Sequence, residues 1–184
     1  GRTIIHLLES TDGQIFFNGE DITRVSKAKL TKLREKMQII FQDPFSSLNP
    51  RYTVADTIRE PLILSRRFSS SEIDLETERI MEMVGLAKRL KLSYPHELDG
   101  GRRQRVGIAR ALALKPDFVV CDEPVSALDV SIQAQILNLI QDLQEEYGLS
   151  YLFITHDLSV VKHISDHIVV MYMGQMVEKS PTRE

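Results

Sequence analysis

The sequence has one cysteine, no tryptophan and no long apolar run. A single cysteine excludes a disulfide framework and a cysteine-cluster zinc site, and it favours a reducing, cytosolic compartment. The longest apolar stretches, at 117–121 and 168–173, have the length of strands, whereas a membrane-spanning helix needs about 18–20 apolar residues. We therefore predict no membrane-spanning helix.

An excess of positive charge is also missing. The 184 residues contain 23 Lys and Arg against 26 Asp and Glu, which gives a formal net charge of −3. A near-neutral balance argues against binding nucleic acid through a basic surface, and we expect no nucleic-acid partner. The hydrophobic content of 42% is that of a globular protein, and a chain of this length buries about 70% of its unfolded surface. One ordinary hydrophobic core is therefore expected.

Short apolar runs alternate with helical patterns along the chain. Runs without polar alternation indicate strands of a parallel sheet that helices cover on both faces, which is an α/β fold. The first eight residues read as a helix, and we expect the loop at 43–51 to have no regular structure because of its proline and serine residues. The predicted strands are 37–41, 118–121, 151–155 and 168–173, and the predicted helices are 27–36, 103–114, 131–147 and 158–165.

Polar side chains follow three of the predicted strands. Gln42 follows the first, Asp122 and Glu123 follow the second, and His156 follows the third. Ligands of parallel sheets bind beyond the carboxyl ends of the strands. There Asp122 could hold a hard cation, directly or through water, and Glu123 could polarise an attacking water as a general base. Each residue alone is better explained as a strand-end residue without chemistry, so the prediction depends on their joint placement.

The segment LDGGRRQRVGIARAL (98–112) adds an anion site to this pattern. Gly100 and Gly101 precede a predicted helix, where backbone N–H groups can approach a ligand and the helix end is positive. This segment resembles the signature of ATP-binding-cassette (ABC) ATPases, and we call it the signature-like segment. FVVCDEP (118–124) is similar to their Walker B motif, and SALD (126–129) to their D-loop. Gln42 and His156 match their Q-loop and switch histidine, so the resemblance covers essentially the whole chain.

The resemblance implies a fold, a ligand and a set of site residues. The fold is a P-loop NTPase-like (RecA-like) parallel-sheet core at 1–43 and 113–184, with an inserted helical subdomain at 44–112. The ligands are ATP and Mg²⁺, bound at an interface shared by two subunits. The implied catalytic residues are Glu123, His156 and Gln42, the metal-binding residues are Asp122 and Gln42, and the nucleotide-contacting residues are Asp99, Gly100, Gly101, Arg102 and Asp129.

Within this family, two segments are similar to the ATPase subunits of oligopeptide and dipeptide importers, namely 42–51 and 156–182. This likeness implies a subunit that lies peripherally on the cytoplasmic face of the cell membrane. Its partners would be a second ATP-binding subunit, identical or different, and integral membrane permease subunits, with an indirect link to a substrate-binding protein. Two alternatives remain open: an ABC ATPase without a membrane partner, and a degenerate cassette that binds a partner without catalysis.

The sequence departs from the family pattern in its phosphate loop. No glycine-rich turn ending in Lys and Ser or Thr is present, and that loop supplies the amides and the lysine that hold the phosphates. The chain starts at Gly1 in what resembles the helix after that loop, so we expect an N-terminally truncated piece of a longer protein. These 184 residues alone are expected not to hydrolyse ATP.

A second departure lies in the signature-like segment, which reads LDGGR where the family usually has LSGGQ. An ionised Asp99 accepts hydrogen bonds only, so it cannot replace a serine hydroxyl as a donor to phosphate. Two negative charges 4 Å apart repel by about 4 kcal/mol at an effective dielectric constant near 20. Asp is also a preferred residue for capping a helix N-terminus. The sequence thus leaves two alternatives for Asp99, a weakened site and a harmless helix cap.

Overall fold

The computed structural model describes residues 1–182, in which short strands alternate with helices. The strands are β1 (Phe16–Phe17), β2 (Glu20–Asp21), β3 (Met37–Ile40), β4 (Phe118–Asp122), β5 (Ser150–Ile154), β6 (His167–Tyr172) and β7 (Gln175–Pro181). The helices are α1 (Lys27–Lys36), α2 (Pro44–Ser47), α3 (Val54–Ser65), α4 (Ser70–Met83), α5 (Gly100–Leu112), α6 (Val130–Tyr147) and α7 (Leu158–Ile164), with 3₁₀ turns at Lys88–Leu90 and Pro95–Glu97.

The central element is a parallel sheet in the order β3-β4-β5. Ile40 pairs with Cys121, and Asp122 pairs with Ile154, so the three strands end at one edge of the sheet. Val119 to Cys121 have no exposed surface, because β4 has a neighbouring strand on each side and packed side chains on each face. The prediction of an α/β fold with a parallel sheet is confirmed.

Alternate side chains of the sheet enter two separate hydrophobic clusters. The larger cluster includes Val119 and Cys121 and extends through α3, α4, α5 and α6. The smaller cluster includes Val120 and packs on the opposite face against Ile5, Ile22 and Leu33. Burial on both faces explains why the β4 sequence is continuously apolar instead of alternating with polar residues.

Residues 44–112 contain α2 to α5 and the two 3₁₀ turns. Two of these helices start with capping boxes, Thr53 with Asp56 and Ser69 with Glu72, so the sequence fixes where each helix begins. The larger cluster runs from these helices into the sheet without interruption. A helical subdomain at 44–112 stays a prediction, and the last two residues of the predicted core range 113–184 lie outside the described residues.

The expectation of a helix at the start of the chain was wrong. Residues 2–6 form successive turns, with hydrogen bonds from Ile4 N–H to Gly1 and from His6 N–H to Thr3. His6 has a positive φ of 57°, which interrupts any helix, and Leu7 and Leu8 are exposed. Packing of Ile4 and Ile5 against the sheet, rather than helical periodicity, determines this conformation.

Two further differences concern short elements. The loop at 43–51 contains α2, because Asp43 caps its first turn and Pro44 occupies the first helical position, where its missing N–H costs nothing. The predicted strand at 168–173 is β6, but it pairs antiparallel with β7 and lies outside the parallel sheet. Much of the apolar surface of this hairpin is exposed.

No helix among residues 1–182 combines the length and the apolar character that crossing a membrane requires, as the sequence predicts.

The start of α5 packs closely against the segment that leads into α6. A methyl group added at Gly101 would lie 2.8 Å from Cγ2 of Ile132, and one at Gly100 would lie 3.1 Å from Cδ2 of Leu128. Packing therefore disfavours a side chain at Gly101, whereas at Gly100 it requires only a small shift of Leu128. Gly107 on the same helix is also buried, but an added methyl group there would meet no atom within 4 Å.

We predict opposite effects of alanine at these two positions. Gly101→Ala should lower the free energy of unfolding by about 1–3 kcal/mol, because Ile132 must move. Gly107→Ala, the matched control on the same helix, should raise it by about 0.5–1 kcal/mol, because alanine loses less backbone entropy on folding. Urea denaturation of both variants measures the difference. The clash predicts that Gly101→Ala lowers the free energy of unfolding less in an Ile132→Ala background, where the added methyl group has room. Equal losses in the two backgrounds would show that the clash is not the cause.

Candidate functional site

Glu123 is the centre of a cluster at the carboxyl edge of the parallel sheet. Its Oε2 accepts a hydrogen bond of 2.8 Å from Nε2 of Gln42, and its Oε1 lies 3.3 Å from Nδ1 of His156. The structure therefore joins residues that follow three different strands, as the strand-exit pattern predicted. We call Gln42, Asp122, Glu123 and His156 the strand-edge cluster.

The backbone holds Glu123 in an unusual conformation. Its φ is +48°, in the left-handed region that residues other than glycine rarely adopt. The Glu123 N–H continues the sheet with a 2.9 Å bond to the carbonyl of Ile154, and its own carbonyl accepts from Oγ of Ser126 at 3.1 Å. Strained residues that the surrounding structure fixes in this way concentrate at functional sites.

His156 combines one anchored ring nitrogen with high exposure. An ionised carboxylate only accepts hydrogen bonds, so Nδ1 of His156 is the donor to Glu123. The ring then presents Nε2 to a ligand. About 74% of the His156 side chain is exposed, against 26% for Glu123, so the histidine forms the outer part of the cluster.

Asp122 has a partner that the sequence reasoning missed. Nε of Arg2 lies 3.3 Å from Oδ2 of Asp122, and the carboxylate is more shielded from solvent than the guanidinium. The two residues are 120 positions apart, and no local pattern around Arg2 signals the contact. The turns of the first residues, which replace the predicted helix, bring Arg2 to this edge.

Asp99 and Arg102 form a second, separate group at the start of α5. Oδ1 of Asp99 accepts a 2.8 Å hydrogen bond from the backbone N–H of Arg102, which makes Asp99 the N-cap of the helix. Oδ2 of Asp99 lies 3.4 Å from a terminal guanidinium nitrogen of Arg102. Of the two alternatives left by the sequence, the cap is therefore the observed geometry.

Asp129 occupies the N-cap position of α6, but its side chain makes no capping hydrogen bond and is exposed. The residue before it, Leu128, is the one that Gly100 approaches, and the Leu128 carbonyl accepts a 2.9 Å bond from Nε2 of Gln133. The predicted D-loop thus lies beside the predicted signature within one chain.

The described hydrogen bonds and ion pairs do not join Asp99 and Arg102 to the strand-edge cluster. The connection between the two groups is α5 itself. Arg103 stacks over the ring of Phe45 at 5.0 Å, and Arg110 donates a 2.7 Å bond to the carbonyl of Ser47. Both contacts attach α5 to α2, which starts two residues after Gln42.

Two residues of the strand-edge cluster carry oxygen atoms that could hold a hard cation. Asp122 and Gln42 offer oxygen ligands, and Mg²⁺ typically takes one or two protein carboxylates together with phosphate oxygens and water. Among residues 1–182, no three His, Cys, Asp or Glu side chains form a complete metal-binding group.

The carboxylates next to Gln42 and His156 cap short helices. A hydrogen bond from the Phe45 N–H lowers the pKa of Asp43, and hydrogen bonds from Ser159 lower the pKa of Asp157. Both groups are exposed, so bonding to the ionised form, and not burial, causes the shifts. Gln42 and His156 each precede one of these capped turns.

Comparisons with known proteins identify the family of this chain. The family model described as "ABC transporter" matches residues 2–126, which is more than half of the chain. The chain belongs to the ABC transporter family. The match includes Gln42, the signature-like segment and Glu123, and it ends before Asp129 and His156.

Curated relatives carry the names of import proteins. The chain is 55% identical over 186 residues to the oligopeptide transport ATP-binding protein OppF of Bacillus subtilis, covering 100% of this chain and 61% of that protein. It is 49% identical over 183 residues to the glutathione import ATP-binding protein GsiA of Escherichia coli strain K12, covering 100% of this chain and 29% of GsiA. The chain thus spans less than two thirds of the length of these relatives.

Solved structures of ABC cassettes share the fold. The dimeric post-hydrolysis state of the cassette MJ0796, bound to ADP and Pi, matches with a TM-score of 0.87 and 30% identity, covering 100% of this chain and 79% of that chain. CbiO1 of Clostridium perfringens, part of the transporter complex CbiONQ, matches with a TM-score of 0.88 and 27% identity, covering 99% and 71% of the two chains. The predicted P-loop NTPase-like fold is thereby confirmed.

The capping carboxylates generate a pH prediction. Because the pKa values of Asp43 and Asp157 are lower in the folded state, their contribution to stability is complete above the ordinary value of 3.8. It is lost as the pH falls through the lower folded values. Carboxyl NMR titrations should therefore give midpoints below 3.8 for both residues in the folded chain, and near 3.8 in urea. Folded midpoints at or above 3.8 would contradict the capping interpretation.

Proposed function

We propose that this chain is the nucleotide-binding part of an ATPase subunit that energises an ABC importer, with peptides as the imported substrates. The observation that carries the proposal is the hydrogen-bonded cluster of Gln42, Glu123 and His156 at the edge of a parallel sheet. This cluster supplies one carboxylate with two positioned neighbours, which suits the activation of a water molecule. The names of the relatives support import, and the names of OppF and GsiA support a peptide substrate.

Glu123 is the proposed general base. Water attacks the γ-phosphorus of ATP, the bond from that phosphorus to the bridging oxygen breaks, and the proton of the water passes to the Glu123 carboxylate. Gln42 and His156 fix the carboxylate from two sides, so it does not have to be ordered during the reaction. The Glu123 side chain reaches both neighbours from a backbone with a positive φ.

Asp122 and Gln42 would hold Mg²⁺ together with the phosphates. When bound, Mg²⁺ neutralises charge on the phosphate oxygens and orients them. Arg2, which already pairs with Asp122, keeps that carboxylate in place at the end of β4. With a proton on each ring nitrogen, His156 would donate Nδ1–H to Glu123 and Nε2–H to the γ-phosphate from the exposed side of the cluster.

The second group completes the site from another subunit. The described hydrogen bonds and ion pairs do not join this group to the strand-edge cluster of the same chain. We therefore propose that Asp99, Gly100, Gly101, Arg102 and Asp129 contact the nucleotide held by a partner chain. The dimeric state in the name of the MJ0796 structure supports this arrangement. Permease subunits in the membrane are the proposed further partners, with the chain attached peripherally at the cytoplasmic face and linked through them to a substrate-binding protein.

The test of this function is the substitution Glu123→Gln in an intact subunit that carries a phosphate loop. Glutamine keeps the shape of the side chain but accepts no proton, so ATP hydrolysis should fall by about 10²–10⁴-fold while ATP binding persists. Steady-state phosphate release and equilibrium binding of a labelled nucleotide measure the two quantities.

The matched control is Glu145→Gln, an exposed glutamate on α6 outside the cluster, which should leave both quantities unchanged. Equal hydrolysis rates for the Glu123 variant and this control would show that Glu123 is not the base.

The role of His156 has a separate signature. If Nε2 binds the γ-phosphate more strongly in the transition state than in the ground state, His156→Ala should reduce kcat by about tenfold or more with little change in KM. His163→Ala on α7, whose side chain is exposed, serves as the control. A variant of His156 that raises KM at an unchanged kcat would make the histidine a residue of ground-state binding only.

A further inference from the structure

Asp99 and Arg102 carry opposite charges where the family pattern has serine and glutamine. Two neutral hydrogen-bonding side chains are thus replaced by a carboxylate and a guanidinium three residues apart. The structure brings these two groups together, with Oδ2 of Asp99 3.4 Å from a terminal nitrogen of Arg102. The exchange therefore involves a pair of residues, and the charge of Asp99 has a partner within its own helix turn.

The carboxylate of Asp99 is occupied on both oxygens. Oδ1 accepts the backbone N–H of Arg102, and Oδ2 faces its guanidinium. Arg102 has five N–H donors in total, and the contact to Asp99 uses one edge of the guanidinium. The side chain of Arg102 is 46% exposed, so its remaining donors are accessible from solvent. Arg102 is thus an accessible side-chain donor at the start of α5.

The surroundings of the pair are positively charged. A cavity of about 350 Å³ beside the start of α5 is lined by Arg89, Arg102 and Arg105 against the single carboxylate of Asp99. Arg105 is fixed there by a 2.6 Å hydrogen bond to the carbonyl of Val84. With the positive end of the helix added, the local field favours an anion despite the acidic residue.

The ion pair of Asp99 and Arg102 is not explained by a contribution to folding stability. An ion pair with both side chains about half exposed contributes little to stability, because water screens it and both side chains lose freedom. A serine would cap α5 about as well as Asp99 does. The effect of the pair is therefore to hold the Arg102 guanidinium in a defined position.

We propose that Arg102 is the side chain of this segment that donates to the γ-phosphate, and that Asp99 is a positioning residue that holds Arg102 for this task. The proposal rests on the nucleotide site proposed above. A forked guanidinium recognises phosphate oxygens through two parallel N–H groups, which a serine hydroxyl cannot do. The acidic residue then supports phosphate binding instead of opposing it.

The test is a double-mutant cycle in the intact subunit with its partner, using Asp99→Ser, Arg102→Gln and the double variant. Arg102→Gln should raise the KM for ATP by about tenfold, because an unpaired carboxylate then faces the phosphates. Asp99→Ser alone should raise the KM a few-fold, because Arg102 loses its anchor. Added to Arg102→Gln, the same Asp99→Ser change should lower the KM, since it removes the unpaired charge.

The reversal of sign is the decisive readout. An Asp99→Ser change that lowers the KM in both backgrounds would overturn the proposal in favour of plain repulsion by Asp99. An Asp99→Ser change without effect in either background would reduce Asp99 to a helix cap. The KM increase of Arg102→Gln should also shrink with added salt. Arg89→Gln, which removes a guanidinium from the same cavity without touching the pair, should shift the KM equally with and without the Asp99 change.

Two further measurements distinguish failure of the Arg102 role from unfolding of a variant and from failure of the proposed function. Melting temperatures of the variants should stay close, since both side chains are exposed. If Arg102→Gln melts early, Arg102→Lys keeps the charge and carries the comparison. ATP turnover that is faster in the unmodified subunit than in its Glu123→Gln variant supports the nucleotide site. If the double-mutant cycle then shows no reversal of sign, only the role of Arg102 is overturned. Absence of turnover overturns both proposals.

Discussion

The burial of β4 on both edges and both faces is the constraint from which the site follows. A strand with no exposed surface at Val119 to Cys121 must pair with two neighbours and satisfy every backbone group. A slip of one residue would exchange the side chains that enter the two hydrophobic clusters, so the register is fixed. With the register fixed, the ends of β3, β4 and β5 meet at one edge, and Gln42, Glu123 and His156 converge there.

The convergence has a local cost. Glu123 continues the sheet by its N–H but has a φ of +48°, in the left-handed region. Such a conformation costs about 1–3 kcal/mol and persists only where the surroundings hold it. The hydrogen bonds to Ile154 and Ser126 fix the backbone, and Gln42 and His156 fix the carboxylate. The stable sheet thus supports a strained side chain at its edge.

The extent to which the sequence predicts this structure depends on how local the signal is. Buried strands and capped helices follow from nearby residues, and for that reason β4, α1 and α6 were predicted to within one residue. The strand ends were predicted as well, because parallel strands place polar exit residues together. The contact of Arg2 with Asp122 and the turns of the first residues depend on tertiary packing, which the apolar pattern at 4–8 does not encode. For Asp99, the sequence left two alternatives, a weakened site and a helix cap. The 2.8 Å distance between its Oδ1 and the Arg102 backbone nitrogen was needed to identify the cap.

Helix α5 connects the two parts of the site through contacts that tolerate little displacement. At its start, Gly101 lies so close to Ile132 that even a methyl group has no room. Along its length, Arg103 covers Phe45 and Arg110 holds the Ser47 carbonyl, and both partners belong to the short helix after Gln42. Closely packed contacts transmit a shift instead of absorbing it. A displacement of the start of α5 is therefore expected to reach Phe45 and Ser47, which follow Gln42 closely in the chain, so the start of α5 and the strand edge are connected through packed contacts.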